Sequence, residues 1–528
     1  MLTTPPAPTA ERARRAGRFA PTLDHVWLAV ALALLALRPL LTPIPPNDFW
    51  WHLATGRAIV AQGQIPVVDS FSYTRFGQPF FNQGWLAQLF MYGLHQLGGV
   101  PLIIITQALV IALAYWLLLR LCIRRSGSVR LSVALLLLAT VPLSFSNWIV
   151  RPQSYALPIF AGFLTILTEY RLGMSRRLWL LPPLMALWVN LHGTFVLGLA
   201  LIGLTVAGEA IKLLRSQVSK DHRPKTIDQD SKTIGNTNVG PWPLALGPPP
   251  PALRPLLIWG LIAAAATLLN PRGLEVVGYV RNLLGSSAVT SLVTEWAPPT
   301  VRDLDGQIFF LFAIGCGALM VYGRRRPDLT DALLFGAFFW LALGATRNVV
   351  WFGMVATPLL IGQAATLVAP RPRRPGSPAL NALVIGMLAL LLAIGLPWVK
   401  PALLPPSVGA LLSEDTPVAA VDFLRAQPDR PRHLFHSEAA GSYLIWAAPE
   451  QPVFVDTRIE LYPFDQWRDY INLGQANNVD ELLRKYDIDG LLLSAAHQRP
   501  LVDAIGRDRG WVERYRDEQT VYFTRVAR

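Results

Sequence analysis

A carboxylate, three aromatic rings and an imidazole occupy five consecutive positions within PPNDFWWHLATG, residues 45–56, just after an apolar run. On a helix, Asp48 and His52 lie four residues apart and therefore share one face. A carboxylate in such a place can take a proton from a reacting hydroxyl group, which is general base chemistry. The structural interpretation is an interfacial aromatic belt, with Asn47 or Asp48 capping the helix that follows.

Arginines recur at the ends of apolar runs. Arg151, Arg272 and Arg347 each stand at a separate helix end. Guanidinium groups match the oxygens of a phosphate, so a cluster of them suits an anionic ligand. The alternative is that these arginines pair with Asp48, Asp69 and Glu295, or with lipid head groups.

A histidine lies where two apolar runs meet with almost no loop between them, in WVNLHG, residues 188–193. We expect Gly193 to permit the turn. His192 is then either a ligand-binding group or a hydrogen-bonding group at a helix end. Arg38 lies inside the first apolar run, where it either snorkels toward the interface or pairs within the protein.

The composition predicts a membrane protein. Of the 528 residues, 52% are hydrophobic and 15% charged, and the mean hydropathy is +0.37. A soluble protein of this length would carry more charge. The apolar runs fall at 24–44, 100–121, 131–148, 153–170, 178–192, 193–214, 255–271, 306–323, 329–346, 348–369 and 379–398. The predicted fold is therefore an all-α polytopic membrane protein with about eleven transmembrane helices.

The basic residues predict the orientation of the chain. Every second joint is basic, as in ERARRAGR before the first span, RLCIRRSGSVR after the second and YGRRRPD after the eighth. Basic joints face the cytoplasm, which places the N-terminus inside and the tail after the eleventh span outside. The formal charge of +13 is explained by these joints, so nucleic acid is not expected as a partner. We expect the protein in the cytoplasmic (inner) membrane.

The chain divides into three predicted parts. Residues 1–23 form a basic cytoplasmic tail, and residues 24–399 form the transmembrane domain, with a first outer loop at 45–99 and a cytoplasmic linker at 216–253. Residues 400–528 alternate strand and helix patterns, which predicts a small extracytoplasmic α/β domain. Its predicted strands are RHLFHS, PVFVDTR, DGLLLSA, WVERYRD and TVYFTRV, and its predicted helices are AAGSYLIWAA, FDQWRDYINLG, VDELLRKYD and RPLVDAIGRDRG.

One predicted strand, VFVDTRIELY, carries polar residues at alternate positions. If it continues as a strand, one side presents Asp456, Arg458, Glu460 and Tyr462. This polar side is either a solvated strand face or part of a site.

The first outer loop contains a specific order of residues: Asp-x-Trp-Trp-His, Gly, Ile-Pro, Asp-x-Phe-Ser-Tyr-Thr, Gly-x-Pro and Trp-Leu. This order resembles the first outer loop of bacterial GT-C-type membrane glycosyltransferases. These polyprenyl-phosphate-sugar-dependent enzymes are distantly similar to protein mannosyltransferases and the lipid A aminoarabinose transferase. The likeness extends over most of the chain, through WVNLHG, LLNPRG, Glu-Trp at 295–296, Arg-Asn at 347–348 and AAGSYLIW followed by VFVDTRIELY.

The resemblance implies a lipid-linked sugar donor and an inverting transfer. In that family an acidic residue at the outer end of the first span is the usual catalytic or acceptor-binding acid, and Asp48 is the matching residue. Asp48 would act as the base on the acceptor, with His52 beside it orienting the carboxylate or binding phosphate. The alternative is that His52 is only a polar partner on an interfacial helix. The predicted substrate-binding residues are Asp69, Arg151, His192, Arg272, Glu295 and Arg347.

The resemblance leaves the metal, the sugar and the acceptor open. Some members carry a paired acidic motif where this chain has Asn47-Asp48, so a divalent metal is possible and no cofactor is certain. The expected partners are the lipid-linked donor, membrane lipids and an acceptor that is a glycan, a lipid or a protein.

Two other functions compete with this one. An oligosaccharide polymerase or ligase of the cell envelope also has outward arginines, but a long outer loop late among the spans would favour it, and here the elaborate loop is the first. A non-enzymatic transporter tends to show repeated halves and charges at the membrane midplane. Here no repeat is visible, and the charges gather on one predicted side.

The orientation can be tested by fusing reporters after residue 528. Because every second joint is basic, we expect activity from a reporter that works only outside the cytoplasm. A reporter placed in the basic joint between the eighth and ninth runs should give a cytoplasmic signal. A cytoplasmic signal from the C-terminal fusion would contradict the predicted topology.

Overall fold

Each apolar run of the sequence contains a helix or a helical segment. The computed structural model describes residues 20–221, 252–285, 294–368 and 376–526. Within these ranges the helices of the membrane part are α1 (Leu23–Leu41), α2 (Phe49–Gln62), α3 (Trp85–Ser126), α4 (Val129–Leu135), α5 (Pro152–Arg171), α6 (Leu181–Leu191), α7 (Phe195–Asp221), α8 (Leu253–Ala266), α9 (Glu275–Gly285), α10 (Leu304–Tyr322), α11 (Leu329–Gly344), α12 (Val349–Leu367) and α13 (Pro378–Ile394). The predicted polytopic helical fold is confirmed.

The helices form a multi-pass membrane bundle with α12 at its centre. By length and composition, five helices can cross a membrane: Leu23–Leu41, Trp85–Ser126, Phe195–Gln217, Leu304–Tyr322 and Thr346–Leu367. The last of these, which contains α12, is 83% buried, against 22–50% for the other four. On α13, by contrast, Leu380, Leu383, Met387 and Leu390 are all exposed. Large apolar side chains on one helix face are what lipid contact requires.

Two breaks in the helices shape the end of the bundle where Asp48 lies. The run at 131–148 is not a single α-helix, because a π-helical turn (Leu136–Thr140) and a 3-10 helix (Pro142–Asn147) follow α4. Pro142 has no N–H to donate to an α-helical hydrogen bond, which favours the change. α3 is interrupted at Gly98 and Gly99, where Gly99 has φ 63°. The first part of α3 therefore belongs to the loop, and the second part belongs to the bundle.

The C-terminal part of the chain is the small α/β domain that the sequence predicts. Its helices are α14 (Lys400–Leu403), α15 (Pro406–Gly409), α16 (Val418–Ala426), α17 (Glu438–Ala447), α18 (Phe464–Gly474), α19 (Val479–Lys485) and α20 (Arg499–Ile505). Its strands are β1 (Leu434–His436), β2 (Gly490–Ser494), β3 (Trp511–Arg516) and β4 (Thr520–Arg525), in the order β1-β2-β4-β3. β1 and β2 are parallel, and the other two pairs are antiparallel.

The prediction of a strand at PVFVDTR is wrong. Residues 452–458 form no strand, and a short 3-10 helix (Ile459–Leu461) follows them. The segment pairs outside the sheet: Val453 forms an isolated parallel bridge with Ser72, and the Phe454 N–H donates to His436 Nε2 at 2.8 Å. The backbone of this segment therefore bonds to the first loop and to the His436 side chain, and not to a neighbouring strand of the sheet.

Two predicted segments lie mostly beyond the described ranges. These are the basic tail at 1–23, of which 1–19 is not described, and the linker at 216–253, of which 222–251 is not described. The predicted domain boundaries stay predictions.

A buried ion-pair network ties the helices together at the end of the bundle away from Asp48. Arg171, in the last turn of α5, binds Glu209 of α7 and Asp331 of α11, each at 3.0 Å. α5 has 20 residues and is therefore roughly 30 Å long. The network and Arg151, at the other end of α5, mark opposite ends of the bundle.

The first loop holds the C-terminal domain through backbone contacts. Ile44 pairs with Leu412 in an isolated parallel bridge. The Ser442 hydroxyl donates to the carbonyl of Asn47 at 2.6 Å. Arg57 donates to the carbonyl oxygens of residues 445 and 446 at 3.2 and 3.1 Å. These contacts lie on both sides of Asp48 and bring α17 against α2.

A buried cluster of charges, the Arg458 clamp, completes this attachment. It consists of Asp69 from the first loop with Asp456, Arg458 and Tyr462 from the domain. Arg458 Nη2 lies 2.7 Å from Asp69 Oδ1 and 2.7 Å from Asp456 Oδ2, and the Tyr462 hydroxyl donates to Asp456 at 2.5 Å. Asp69, Asp456 and Arg458 are at most 2% exposed. Burial alone would raise the pKa of Asp456, but the charge and hydrogen bonds of Arg458 lower it overall.

The Arg458 clamp predicts a large loss of stability for Arg458→Met. Removing the cation leaves two buried carboxylates without their partner, which costs about 3–5 kcal/mol of unfolding free energy. Arg468→Met is the control, because Arg468 pairs with Asp465 on the surface, where such pairs contribute about 0–1 kcal/mol. Thermal unfolding in detergent, with limited proteolysis of the C-terminal domain, measures the difference. Equal behaviour of the two variants would contradict the clamp.

The close packing at Gly56 leads to a second prediction about stability, because there is no room for a side chain at this position. A Cβ at this position in α2 would lie 2.3 Å from the carbonyl oxygen of Gln88 in α3. We expect Gly56→Ala to push the helices apart and to cost about 1–3 kcal/mol of stability. Gly93→Ala in α3 is the control, since a Cβ there meets nothing within 4 Å. The same thermal unfolding assay compares them, and an unchanged Gly56→Ala protein would contradict this packing.

Candidate active site

A cavity of about 600 Å³ lies between the first loop, the nearby helix ends and the C-terminal domain. Its ionisable lining residues are Asp48, His52, Arg151, His192, Tyr279, Glu295, Arg347, Glu438 and Glu460. Six of the eight site residues predicted from the sequence are among them. The structure therefore gathers side chains from widely separated parts of the chain around one space, while their roles stay predictions.

Asp48 stands at the N-cap position of α2 without capping it. Its backbone is in the right-handed helical region, at φ −55° and ψ −27°, and its side chain makes no cap hydrogen bond within the described structure. Burial raises the pKa of Asp48, the charge of Arg151 lowers it, and the overall direction is upward. The carboxylate is thus a stronger base than one in water and is free of a structural task in the helix.

His52, one turn further along α2, is buried and held in one orientation. The amide Nε2 of Gln88 donates to His52 Nδ1 at 3.1 Å, and Gln88 is itself held by two hydrogen bonds with Asn82. The Trp51 ring lies 3.6 Å from the imidazole, centroid to centroid. Burial, then the positive charges nearby, lowers the pKa of His52 well below 6.5. His52 is therefore neutral at pH 7, with its proton on Nε2.

Two guanidinium nitrogens of Arg151 have no hydrogen-bond partner among the described residues. It precedes α5 in an extended conformation, and its Nη1 contacts both carboxylate oxygens of Glu295 at 2.9 and 3.1 Å. Its Nε and Nη2 atoms are buried, and neither has a hydrogen-bond partner in the part of the chain that the structure describes. Buried donors without partners are costly, and a bound anion would satisfy them.

Arg347 provides the second positive charge of the cavity. It lies in a 3-10 helix (Thr346–Asn348) just before α12. Its Nη2 donates to the side chain of Gln153 at 3.1 Å, and its guanidinium lies 4.7 Å from the centroid of the Trp296 ring. Gln153 is fixed in turn by a hydrogen bond to Asn147 at 3.1 Å. These contacts set the direction of the guanidinium without neutralising its charge.

His192 forms the turn between α6 and α7. Its backbone is extended, and its Nδ1 accepts a hydrogen bond from the Thr194 N–H at 3.2 Å. The proton of a neutral imidazole then lies on Nε2. The expectation that Gly193 permits this turn is wrong, because its φ is not positive and a Cβ there would approach neighbouring side chains no closer than 3.9 Å. The extended backbone of His192 and the hydrogen bond from the Thr194 N–H to its ring stabilise the turn instead.

Two residues predicted to bind substrate lie outside the cavity lining. Asp69 belongs to the Arg458 clamp. Arg272 pairs with Glu275 at 3.0 Å and lies 5.0 Å from the ring centroid of Phe81, a cavity residue. Both have partners in the protein, and their predicted binding roles stay predictions.

One acid of the cavity, Glu438, was not predicted from the sequence, and another, Glu460, was predicted on a polar strand side but not in a site. Glu438 begins α17, directly before the AAGSYLIW motif, and that position was the available signal. Burial, followed by the negative charges of Asp48 and Asp456, raises the pKa of Glu438 to about 7. Glu460, from the polar pattern of VFVDTRIELY, lines the same wall. Across the described ranges, no three His, Cys, Asp or Glu side chains are grouped so that they could hold a metal ion.

No family model matches the chain, and no curated protein matches it in sequence. Solved structures are similar to it in fold. One is the archaeal oligosaccharyltransferase AglB from Archaeoglobus fulgidus in complex with an inhibitory peptide and a dolichol-phosphate. Its TM-score is 0.51 at 12% identity, over 94% of this chain and 73% of that one.

Two further solved structures are bacterial. ArnT from Cupriavidus metallidurans, bound to undecaprenyl phosphate, matches with a TM-score of 0.50 at 16% identity, over 95% of this chain and 97% of that one. The arabinofuranosyltransferase AftD from Mycobacteria matches with a TM-score of 0.54 at 14% identity, over 96% of this chain and 42% of that one. At these identities the likeness concerns the fold, and it confirms the fold that the first-loop motif predicts. The chain has the GT-C fold of polytopic membrane glycosyltransferases.

Proposed function

We propose that this protein is an integral membrane glycosyltransferase. It transfers a sugar from a polyprenyl-phosphate-linked donor to an acceptor of the cell envelope, at the outer side of the cytoplasmic membrane. The observation that carries the proposal is that one cavity holds three groups: Asp48, whose carboxylate does not cap its helix, Arg151 and Arg347. Two buried guanidinium nitrogens of Arg151 have no hydrogen-bond partner among the described residues. The fold supports it, since two similar structures contain dolichol-phosphate or undecaprenyl phosphate.

The arginine side of the cavity suits the phosphate of the donor. The spare Nε and Nη2 donors of Arg151 and the charge of Arg347 would bind its oxygens. When the bond to the anomeric carbon breaks, negative charge grows on the departing phosphate, and donors already in place stabilise that charge most effectively. Glu295 keeps Arg151 in position but leaves part of its guanidinium available.

His52 and His192 can also bind the donor phosphate, as uncharged hydrogen-bond donors. In His52 and His192, Nδ1 already accepts a hydrogen bond, so each presents an Nε2–H. A neutral imidazole N–H can donate to a phosphate oxygen or a sugar hydroxyl without adding charge. His52 also lies one turn from Asp48, where it would help to place the sugar against the carboxylate.

The other wall of the cavity is acidic and suits the acceptor. Glu438 and Glu460 come from the C-terminal domain, and neither forms an ion pair with any described residue. Burial raises the pKa of both carboxyl groups, to about 7 for Glu438. When ionised they accept hydrogen bonds from hydroxyl or amino groups and repel a second anion. The acceptor therefore presents a neutral or cationic group to this wall, and Asp48 lies nearby to receive its proton.

The reaction follows as a single displacement. The acceptor hydroxyl oxygen bonds to the anomeric carbon, the bond from that carbon to the phosphate oxygen breaks, and the hydroxyl proton passes to Asp48. The products are the glycosylated acceptor and the polyprenyl phosphate. One displacement without a covalent enzyme intermediate inverts the anomeric configuration. The raised pKa of Asp48 makes its carboxylate a better proton acceptor near neutral pH.

The direct test is Asp48→Asn. Asn keeps the size and most of the hydrogen-bonding capacity of Asp but cannot accept the proton, so we expect transfer to fall by about a hundred- to ten-thousand-fold with the fold intact. The assay is transfer of labelled sugar from the lipid donor in membranes, at matched protein levels. If Asp48 instead held a metal, a chelator would already abolish wild-type transfer.

Asp303→Asn is the matched control. Asp303 does cap a helix, since its side chain accepts from the Gly306 N–H at 2.7 Å at the start of α10, and Asn preserves a cap. This variant should keep its activity. Wild-type transfer by the Asp48→Asn protein would contradict the proposal.

A further inference from the structure

A second chamber, of about 320 Å³, lies beside the candidate active site. Its wall is formed by the end of α1 and the segment after it, by α3, by the 3-10 helix before α5 and by Ser413. It shares Ile149 and Val150 with the larger cavity, so these two residues separate the spaces. Most of its other lining residues are apolar: Pro39, Pro43, Ile44, Pro45, Ile104, Phe145 and Trp148.

Arg38 brings a positive charge to this chamber. It lies in the last turn of α1, with its guanidinium 3.8 Å from the ring centroid of Phe145. No carboxylate of the described residues lies within ion-pair distance of it. A charge at the end of an otherwise apolar membrane helix is costly unless it is solvated or paired. Arg38 is exposed at this end of the helix, and Asp305 acts on its charge only from beyond ion-pair distance, so the guanidinium is accessible to an anionic ligand.

Two buried polar atoms of the chamber also lack partners among the described residues. They are the indole Nε1 of Trp148 and the amide Oε1 of Gln107, in side chains that are 6% and 3% exposed. The orientation of the Gln107 amide is fixed, because its Nε2 donates to Ser154 Oγ at 3.0 Å and to two backbone carbonyls at 3.2 Å. One buried donor and one buried acceptor are therefore left without partners among the described residues, which is unfavourable unless a ligand satisfies them.

We propose that this chamber binds the phosphate head group of a membrane lipid that also carries a hydroxyl group. Arg38 binds the phosphate, Trp148 donates to one of its oxygens, and Gln107 accepts a hydrogen bond from the hydroxyl. The apolar wall contacts the first carbons of the lipid chains. The volume suits such a head group, since small-ligand sites begin at roughly 300 Å³. An anionic glycerophospholipid and a polyprenyl-phosphate sugar share this chemistry.

The site is separate from the catalytic proposal, because Arg38, Gln107 and Trp148 do not line the larger cavity. It nevertheless touches the same segment of chain. Gln107 holds the carbonyl oxygens of residues 148 and 149, and Arg151 follows two residues later. A lipid bound here stabilises the segment that leads to Arg151.

The test measures lipid binding by native mass spectrometry of the full-length protein, without turnover. We expect phosphatidylglycerol, which has both phosphate and hydroxyl groups, to bind at least tenfold more tightly than phosphatidylcholine, which has no hydroxyl. Arg38→Gln should weaken phosphatidylglycerol binding tenfold or more, and Trp148→Phe should weaken it severalfold. Arg120→Gln, at an exposed arginine of α3, is the control and should bind like the wild type.

The second arm of the experiment measures whether a polyprenyl-phosphate sugar, or polyprenyl phosphate without a sugar, displaces bound phosphatidylglycerol. If the sugar lipid displaces phosphatidylglycerol and plain polyprenyl phosphate does not, the occupant is the sugar lipid; if neither displaces it, the occupant is a glycerophospholipid. Equal binding of phosphatidylglycerol and phosphatidylcholine, or full binding by Arg38→Gln, would overturn the proposal. Thermal unfolding confirms that each variant is folded, and Arg38→Lys, expected to bind with intermediate affinity, replaces Arg38→Gln if that variant does not fold.

Discussion

The Arg458 clamp is the interaction on which the candidate site depends. One guanidinium joins a carboxylate of the first loop, Asp69, to a carboxylate of the C-terminal domain, Asp456, with water excluded. A buried cation with two acids is stable only when all the partners are in place. The clamp therefore couples the order of the loop to the docking of the domain. Because Asp48 lies in that loop and Glu438 in that domain, the cavity exists only in the docked state.

Charge in the cavity is divided between its two walls. The helix ends supply Arg151 and Arg347, and the C-terminal domain supplies Glu438 and Glu460. Opposite charges held apart across a partly desolvated space act strongly on a ligand, because little water screens them. Such a division suits a reaction in which an anion leaves from one side while a proton is taken up on the other. Asp48, whose pKa is raised by burial, interacts with Arg151 as well as with Glu438 and Glu460, so it lies between the two groups.

The sequence predicted those features that depend on local pattern. Apolar runs of sufficient length located the helices, and short strand-like segments between helical ones located all four strands of the small sheet. The segment at 452–458 was mistaken for a strand because its alternation is real, but the first loop and His436 occupy its backbone groups. The pairing of Asp69 with Arg458 could not be predicted from the sequence, because it joins positions 389 residues apart. Glu438 was missed because only domain docking brings it to the cavity.

A structure of the protein with a non-transferable polyprenyl-phosphate sugar would test the central claim most directly. The proposed mechanism requires the phosphate within hydrogen-bond distance, about 2.7–2.9 Å, of Arg151 or Arg347. It also predicts that Asp48 faces the anomeric carbon from the opposite side, with room for an acceptor hydroxyl between them, as an in-line displacement requires. A phosphate bound away from both arginines, or Asp48 on the same side as the leaving phosphate, would contradict it.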